Sequence, residues 1–573
     1  DYTFTGKPLH VRIEHLHGNA VHTEQYSYTY GYEERLDKVE YQIDDRTPIV
    51  MSEQHYDDLG RLSEKLFHNG MYLNHYTYNI RDWLTGINGT HFSQSLHYTD
   101  GIGNPCYNGN ISSMTWSTDS LITKGYTLTY DGLSRLKNAV YGEGPSLFDN
   151  PNRFNEQVTD YDRNGNILGL LRCGRTSTDS YGLVDNLNLV YDGNQLQSVS
   201  DNVILSAASS GMEFNDGAHS FTEYVYDANG NLTKDLNKKI IDIQYNCLNL
   251  PCRVEFENGN SVAYLYDANG TKLRTTHVIE NDTTVTGYCG NVVYENGVLV
   301  RLLTEAGYVS LNDNRYHYFI QDHQGNNRMI VDEDGNIEEV NDYYPFGGLM
   351  ASYGDVQPYK YNGKELDGKG GLDWYDYGAR HYDVVLGRWN GVDPSCEKYY
   401  TWSPYAYCKN NPVLRVDPNG KDDYTINNKG QLFRTSTNNF SYDRLIYSKN
   451  KEISIVVNDK SLLPEMYAVQ KSNKNAGIEY YNSTANLDDA VAVFKFGADN
   501  TGVEWKLDVY DDQGSKTAIV GTSGRESSVF SDVQNRLGVK GDKVVDLHSH
   551  PYNKEASDTD MRNLRINTGA IYY

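Results

Sequence analysis

Short runs of alternating aromatic and polar residues, each broken by a turn, fill most of the chain up to about residue 345. Phe221-Thr-Glu-Tyr224-Val-Tyr226-Asp227-Ala-Asn229-Gly230-Asn-Leu232 is echoed by Val262-Ala-Tyr264-Leu-Tyr266-Asp267-Ala-Asn269-Gly270-Thr-Lys-Leu273. Looser copies begin at Tyr56-Asp57, Tyr130-Asp131, Tyr161-Asp162 and Tyr191-Asp192. They recur at intervals of about 20–35 residues, the range of repeat architectures. A period of two sets Tyr224 and Tyr226 on one face of a strand. Asn-Gly predicts a two-residue hairpin turn with positive φ, and the Leu or Ile after it opens the return strand. One hairpin is marginal in water, so the units must stack. The pattern therefore predicts one continuous, curved β sheet to about residue 420.

Beyond Gly420 the tyrosine pattern stops. Residues 421–430 are polar and read as a loop. Strands are predicted over 451–457, 501–510, 517–520 and 544–550, and helices over 486–494, with Asn486 as cap, and 527–537. A last helix opens at Ser557-x-x-Asp560. That order is α/β.

Composition narrows the function. The net charge is −26 and the sequence pI about 5.0, which argues against a broad basic nucleic-acid surface. Fifty Tyr against fifteen Phe suits broad, half-wet β surfaces. The seven Cys all precede residue 409, with no CxxC pair, so neither a disulfide framework nor a zinc ribbon is expected. No apolar run reaches the length of a membrane helix. The chain starts at Asp1 in mid-pattern and stops at Ile571-Tyr-Tyr573, which reads as a piece of a longer protein.

The repeats resemble the YD (RHS) repeats of bacterial RHS and Tc-toxin shells and of teneurins. Tyr343-Tyr-Pro345-Phe-Gly347, Tyr375-Asp-Tyr-Gly378-Ala-Arg380-His381-Tyr382, Gly387-Arg388-Trp389, Asp393-Pro394 and Asp417-Pro418-Asn-Gly420 resemble the RHS repeat-associated core. The resemblance implies a mainly β protein: a YD-repeat shell over 1–315, the core over 316–420, and cargo over 421–573. Related cores cut the chain just after the final DPxG, with two Asp and an Arg associated with the cut. By position these are Arg388, Asp393 and Asp417. Two close carboxylates split their pKa values, so one can act as acid and the other as base. The bland reading is that Asp-Pro only makes turns. Asp322-His323 is assigned a structural role.

The cargo carries the second candidate site. His548 and His550, two apart on a predicted strand, share a face and could share a metal ion. Pro551 ends the strand, and Asp560 could swing back as a third ligand. Two His and one carboxylate leave a fourth zinc position for water, the catalytic pattern. Alternatively, the His pair is a polar strand face and Ser557-x-x-Asp560 a plain helix cap. H-S-H-P followed by S-x-x-D resembles the JAMM (JAB/MPN-type) metalloprotease signature, with a loop one residue shorter than usual. The resemblance implies a small cytidine deaminase-like α/β domain and a Zn²⁺ ion. It also implies a base, Glu504 with Glu526 as rival, and an oxyanion donor, Ser557.

These readings point to a secreted or cell-surface polymorphic toxin with a JAMM-like zinc metallopeptidase effector. Its expected partners are a protein substrate in a target cell, a cognate immunity protein and secretion machinery, with no nucleic acid and no membrane span. Two alternatives stand beside it. One is a teneurin-like surface or adhesion protein with an inert C-terminal domain. The other is a zinc deaminase, disfavoured because no Cys ligand follows residue 408.

Overall fold

The structure is a computed structural model. It describes residues 1–417 apart from 4–5, 18–19, 32–34, 119–121, 204–211, 281, 395 and 397–400. Beyond these it describes 422–426, 432–437, 443–447, 450–457, 480–484, 490–491, 493–494, 496, 505–512, 515–522, 540 and 542–548. The chain divides into two units, Asp1–Pro418 and Asn419–Tyr573.

Within each sheet of the first unit, every strand pairs with the next in sequence. Strands His10–His17 through Gln195–Asp201 make a 15-stranded sheet, and Tyr224–Tyr226 through Leu349–Tyr353 a 14-stranded one. The expected single sheet is thus interrupted between Asp201 and Tyr224. The two edges there are joined by a backbone bond from Glu223 N to Gln197 O (2.7 Å). One cluster of buried side chains runs through both sheets.

The repeat differs from expectation in its turn. Gly230 N donates to Asp227 O (3.0 Å) and Asp227 N to Asn231 O (2.9 Å). Tyr226 pairs with Leu232 across a bulge, and of Asn229 and Gly230 only Gly230 has positive φ, +80°. This is a three-residue turn ending in a left-handed glycine, not the two-residue Asn-Gly turn. The repeat's Asp explains why. Asp227 Oδ1 accepts from the N–H groups of Asn229 (2.9 Å) and Asn231 (2.8 Å), closing the longer loop from inside.

The tyrosine is equally specific. The hydroxyl of Tyr161 donates to Leu136 O (2.6 Å), that of Tyr191 to Ile167 O (2.9 Å), and that of Tyr245 to Leu232 O (2.6 Å). Each acceptor is the residue that opens the return strand of the preceding hairpin. Phe could fill the core there but could not bond successive hairpins, which accounts for the excess of Tyr.

After Leu349–Tyr353, a four-stranded sheet forms from Glu365–Asp367, Trp374–Asp376, His381–Asp383 and Arg388–Trp389. The residues that follow are pinned to the large sheets. Tyr405 donates to Gly230 O (2.7 Å), Asn410 to Gly165 O (2.7 Å) and Asn411 to Ser134 O (2.8 Å). His323 Nε2 lies 3.0 Å from Val413 O, so Asp322-His323 is structural, as read from the sequence.

Among its described residues the second unit holds two four-stranded sheets. Asp422–Ile426, expected as loop, is a strand, paired antiparallel with Leu432–Thr437 and parallel with Asp443–Tyr447. These pairings give the polar backbone of 422–426 partners that its side-chain pattern did not announce. The other sheet orders Tyr480–Thr484, Ser515–Thr522, Trp505–Asp512 and Asp542–His548. Trp505, Leu507 and Val509 are buried on it, and Ala490, Val493 and Phe496, also buried, lie in a helical stretch. Asp508 is buried and accepts from Lys543 (2.9 Å).

Candidate functional site

Three chain segments meet at Arg380. The residue sits just before strand His381–Asp383, its guanidinium carbon 4.1 Å from the centre of the Trp389 ring. The Trp389 face fixes the planar cation and removes it from water. One of its nitrogens, Nη2, lies 3.4 Å from a carboxylate oxygen of Asp393 and 3.4 Å from one of Asp417. Asp393 is held by its own N–H on Pro404 O (2.9 Å).

The arginine is 5% exposed and the two carboxylates 20% and 19%. The cation is thus locked in protein while both acids keep a route to water. Lys364 is a further cation in the neighbourhood: burial pushes its ammonium pKa down, and the charges of Asp376 and Asp417 oppose that.

Asp393 and Asp417 are thus brought to one point, but Arg388 is not among their contacts. It lies between the rings of Tyr191 and Tyr405, at 5.1 and 4.9 Å, and donates to Asn194 O (3.1 Å). Arg388 and Arg380 both stand in the core segment, eight positions apart. Nothing local distinguishes them.

Two other clusters among the described residues could be taken for sites. Arg328 bonds Asp322 (2.8 Å) and Asp342 (3.2 Å), with all three side chains 3% exposed or less. Trp116 and Lys124 complete the satisfaction of Asp342, each at 2.6 Å. This cluster ties the two large sheets together and is sealed from water. Asp313, His317 and Glu338 offer ligand atoms within 4.8 Å of one another. There Nδ1 of His317 faces Glu338 (2.6 Å) and Nε2 faces Asp313 (3.3 Å). Glu338 holds Nδ1 in a hydrogen bond, while the buried Nε2 makes none.

For the cargo site, His548 ends strand Asp542–His548, and its backbone pairs with Lys506. Glu504, Glu526, His550, Ser557 and Asp560, with the predicted helices over 527–537 and from 557, lie outside the described residues. Among the described residues no helix is long and apolar enough to cross a membrane.

Comparison with known proteins adds four findings. Residues 482–565 match the family model described as JAB-like toxin 1. Toxin subunit YenC1 of Yersinia entomophaga is 23% identical over 390 residues, covering 58% of this chain and 37% of that protein. Salivary gland surface protein 1 of Aedes aegypti is 30% identical over 230 residues, 35% of this chain and 7% of that protein. The crystal structure of TcdB2-TccC3 superposes with a TM-score of 0.55 at 18% identity, covering 73% of this chain and 24% of that one. The chain thus spans well under half the length of these relatives. Its large antiparallel sheets have the fold of the RHS-type shell of Tc toxins.

Proposed function

From an RHS-type β unit followed by a JAB-like toxin region, we propose a secreted bacterial toxin component that carries a zinc metallopeptidase effector and cuts its own chain after Asp417-Pro-Asn-Gly420. The observation that carries self-cleavage is the pair of carboxylates, Asp393 and Asp417, held on one buried guanidinium nitrogen. Asp417, beside both Arg380 and Lys364, takes a proton from the attacking water. Asp393 is the acid that protonates the leaving amine. The water oxygen bonds to the carbonyl carbon, the C–N bond breaks, and one carboxylic acid and one amine result. Arg380 replaces Arg388 in the predicted trio.

For the effector, the matched family region and the sequence carry the reading. Zinc, if bound by His548, His550 and Asp560, would polarise the scissile carbonyl and acidify a water. Glu504 takes the proton of the attacking water, and Ser557 donates a hydrogen bond to the developing oxyanion. Register supports Glu504 over Glu526. Lys506 pairs with His548, Glu504 stands two residues before Lys506, and His550 stands two after His548. An unbroken antiparallel register would set Glu504 opposite His550. The protein substrate in a target cell and a neutralising partner belong to the same proposal.

Metal analysis of the purified chain tests it: one zinc per chain is expected. His548→Ala should lose the metal, whereas Glu504→Gln should keep the metal and lose peptide hydrolysis. A chain that binds no zinc, or a Glu504→Gln variant as active as the parent, would overturn the effector reading.

A further inference from the structure

His317 stands in strand Arg315–Gln321, between the core residues Tyr316 and Tyr318 in sequence and so on the opposite face from both. Its imidazole is 3% exposed. The ring of Tyr308 stacks on it at 4.6 Å with a 6° interplanar angle, which fixes its plane. Glu338 sits 2.6 Å from Nδ1. A carboxylate can only accept, so the ring proton belongs on Nδ1 and the lone pair of a neutral ring on Nε2. That Nε2 is buried without a hydrogen-bond partner, and it faces Asp313 Oδ2 at 3.3 Å. A lone pair and a carboxylate oxygen thus confront each other across a short gap. An imidazolium would place a proton between them, but the contact lies outside hydrogen-bond geometry.

The charges around the ring do not cancel. Among the described residues, Asp313 and Glu338 each form an ion pair with His317 and with no Lys or Arg. The nearby guanidinium groups are committed elsewhere: Arg315 to Asp332 (2.6 Å) and Asp334, and Arg46 to Glu333 (3.3 Å). Two carboxylates beside a neutral imidazole leave a negative charge that a divalent cation would cancel.

The geometry suits such an ion. Two ligand atoms each about 2.0–2.1 Å from a tetrahedral ion stand about 3.3–3.4 Å apart. The other oxygen of Asp313, Oδ1, accepts from the N–H of Arg315 (3.2 Å), which turns Oδ2 towards the ring. A carboxylate on the far nitrogen, as Glu338 is, commonly orients a metal-bound histidine. The Asp313 side chain is 44% exposed, so an ion enters from that side and keeps water at its remaining positions. One imidazole nitrogen among oxygen ligands favours zinc and its transition-metal neighbours over magnesium or calcium.

We propose that His317 Nε2 and Asp313 Oδ2 bind a divalent transition-metal ion of the zinc class, with Glu338 orienting the ring. Asp313 lies in the turn between strands Gly307–Ser310 and Arg315–Gln321, and the next residue, Asn314, accepts from Arg46 of the other large sheet through its carbonyl (3.0 Å). The ion therefore clips the turn through which the two sheets meet. With two protein ligands the site is weaker than the three-ligand site of the carboxyl-terminal unit. It fills on added ion, while the purified chain keeps its one zinc. It rests on neither that zinc nor self-cleavage.

Calorimetric titration of the whole chain carrying His548→Ala tests it, with zinc as the probe and magnesium and calcium as controls. One zinc per chain should bind with a Kd of about 10 µM or tighter, and the controls at least a hundredfold more weakly. Asp313→Asn, added to the same chain, should weaken zinc binding tenfold or more, and Glu338→Gln by about tenfold. If His548→Ala does not fold, the same ion is read as the difference of one bound zinc between the titrated parent and Asp313→Asn. No zinc taken up by the His548→Ala chain, parental affinity in Asp313→Asn, or equal binding of magnesium or calcium overturns the site. A zinc that Asp313→Asn loses and His548→Ala keeps supports it, whatever becomes of the carboxyl-terminal ion.

Discussion

Two arginines of the β unit each hold two carboxylates, and they differ in what surrounds them. Arg328 bonds Asp322 and Asp342 at 2.8 and 3.2 Å with all three groups sealed from water. Arg380 reaches Asp393 and Asp417 at 3.4 Å each, with the acids about one-fifth exposed. Around Arg328, Trp116, Lys124 and Asn326 occupy the remaining acceptor sites of its two partners. That saturation makes a fastener between sheets. The longer contacts and partial exposure at Arg380 leave a path for a reactant. The same three residue types make a rivet in one place and a candidate acid–base pair in the other. What separates them is the length of the contacts and the access of the acids to water.

The strongest way to break this contrast is at the acids. Asp393→Asn and Asp417→Asn should each slow self-cleavage by about 10²–10⁴-fold, read by intact mass over time. A parental rate in either variant, or a parent that never splits, removes the Arg380 cluster from chemistry. At the fastener, Arg328→Leu strands two buried carboxylates and should cost about 3–5 kcal/mol of stability, measured by denaturant unfolding. A loss under about 1 kcal/mol would mean that the sheets are joined by packing alone.

The two core arginines sharpen the contrast further. Arg380→Gln should slow cleavage by roughly a hundredfold, while Arg388→Gln, which loses a Tyr-ring and carbonyl contact, should change the rate by less than about threefold. Equal effects would return Arg388 to the site.

The smallest effect concerns a buried acid without an arginine. Burial pushes the Asp235 carboxyl up to about 7, with Lys238 pulling it down and Asp383 raising it further. An unfolded Asp ionises near pH 3.9. Between about pH 4 and 7 the folded chain therefore keeps a proton that the unfolded chain has lost. Stability falls across that window as pH rises and levels off above it. Asp235→Asn should flatten the fall and stabilise the protein at pH 8 by about 1 kcal/mol or more. An unchanged pH profile would place the titration elsewhere.

The hairpin repeat was legible because its signals are local. Tyr-Asp, the turn glycine and the following Leu or Ile act within a dozen residues, so order and spacing predicted the strands of the first unit. The turn type was misjudged because Asp227 closes the loop through its side chain, an effect outside the Asn-Gly dipeptide. Asp422–Ile426 escaped because its strand is made by partners on two sides, not by its own alternation.

By itself, then, the sequence determined the β character of the first unit and the residue types of both candidate sites. Only the tertiary structure decided that the sheet breaks in two and that Arg380, not Arg388, meets Asp393 and Asp417. It also set Asp313 and Glu338 on the two nitrogens of His317. Strand formation follows from contacts a few residues apart. Which cation faces which acid depends on segments brought together from distant parts of the chain, and no window of sequence contains that geometry.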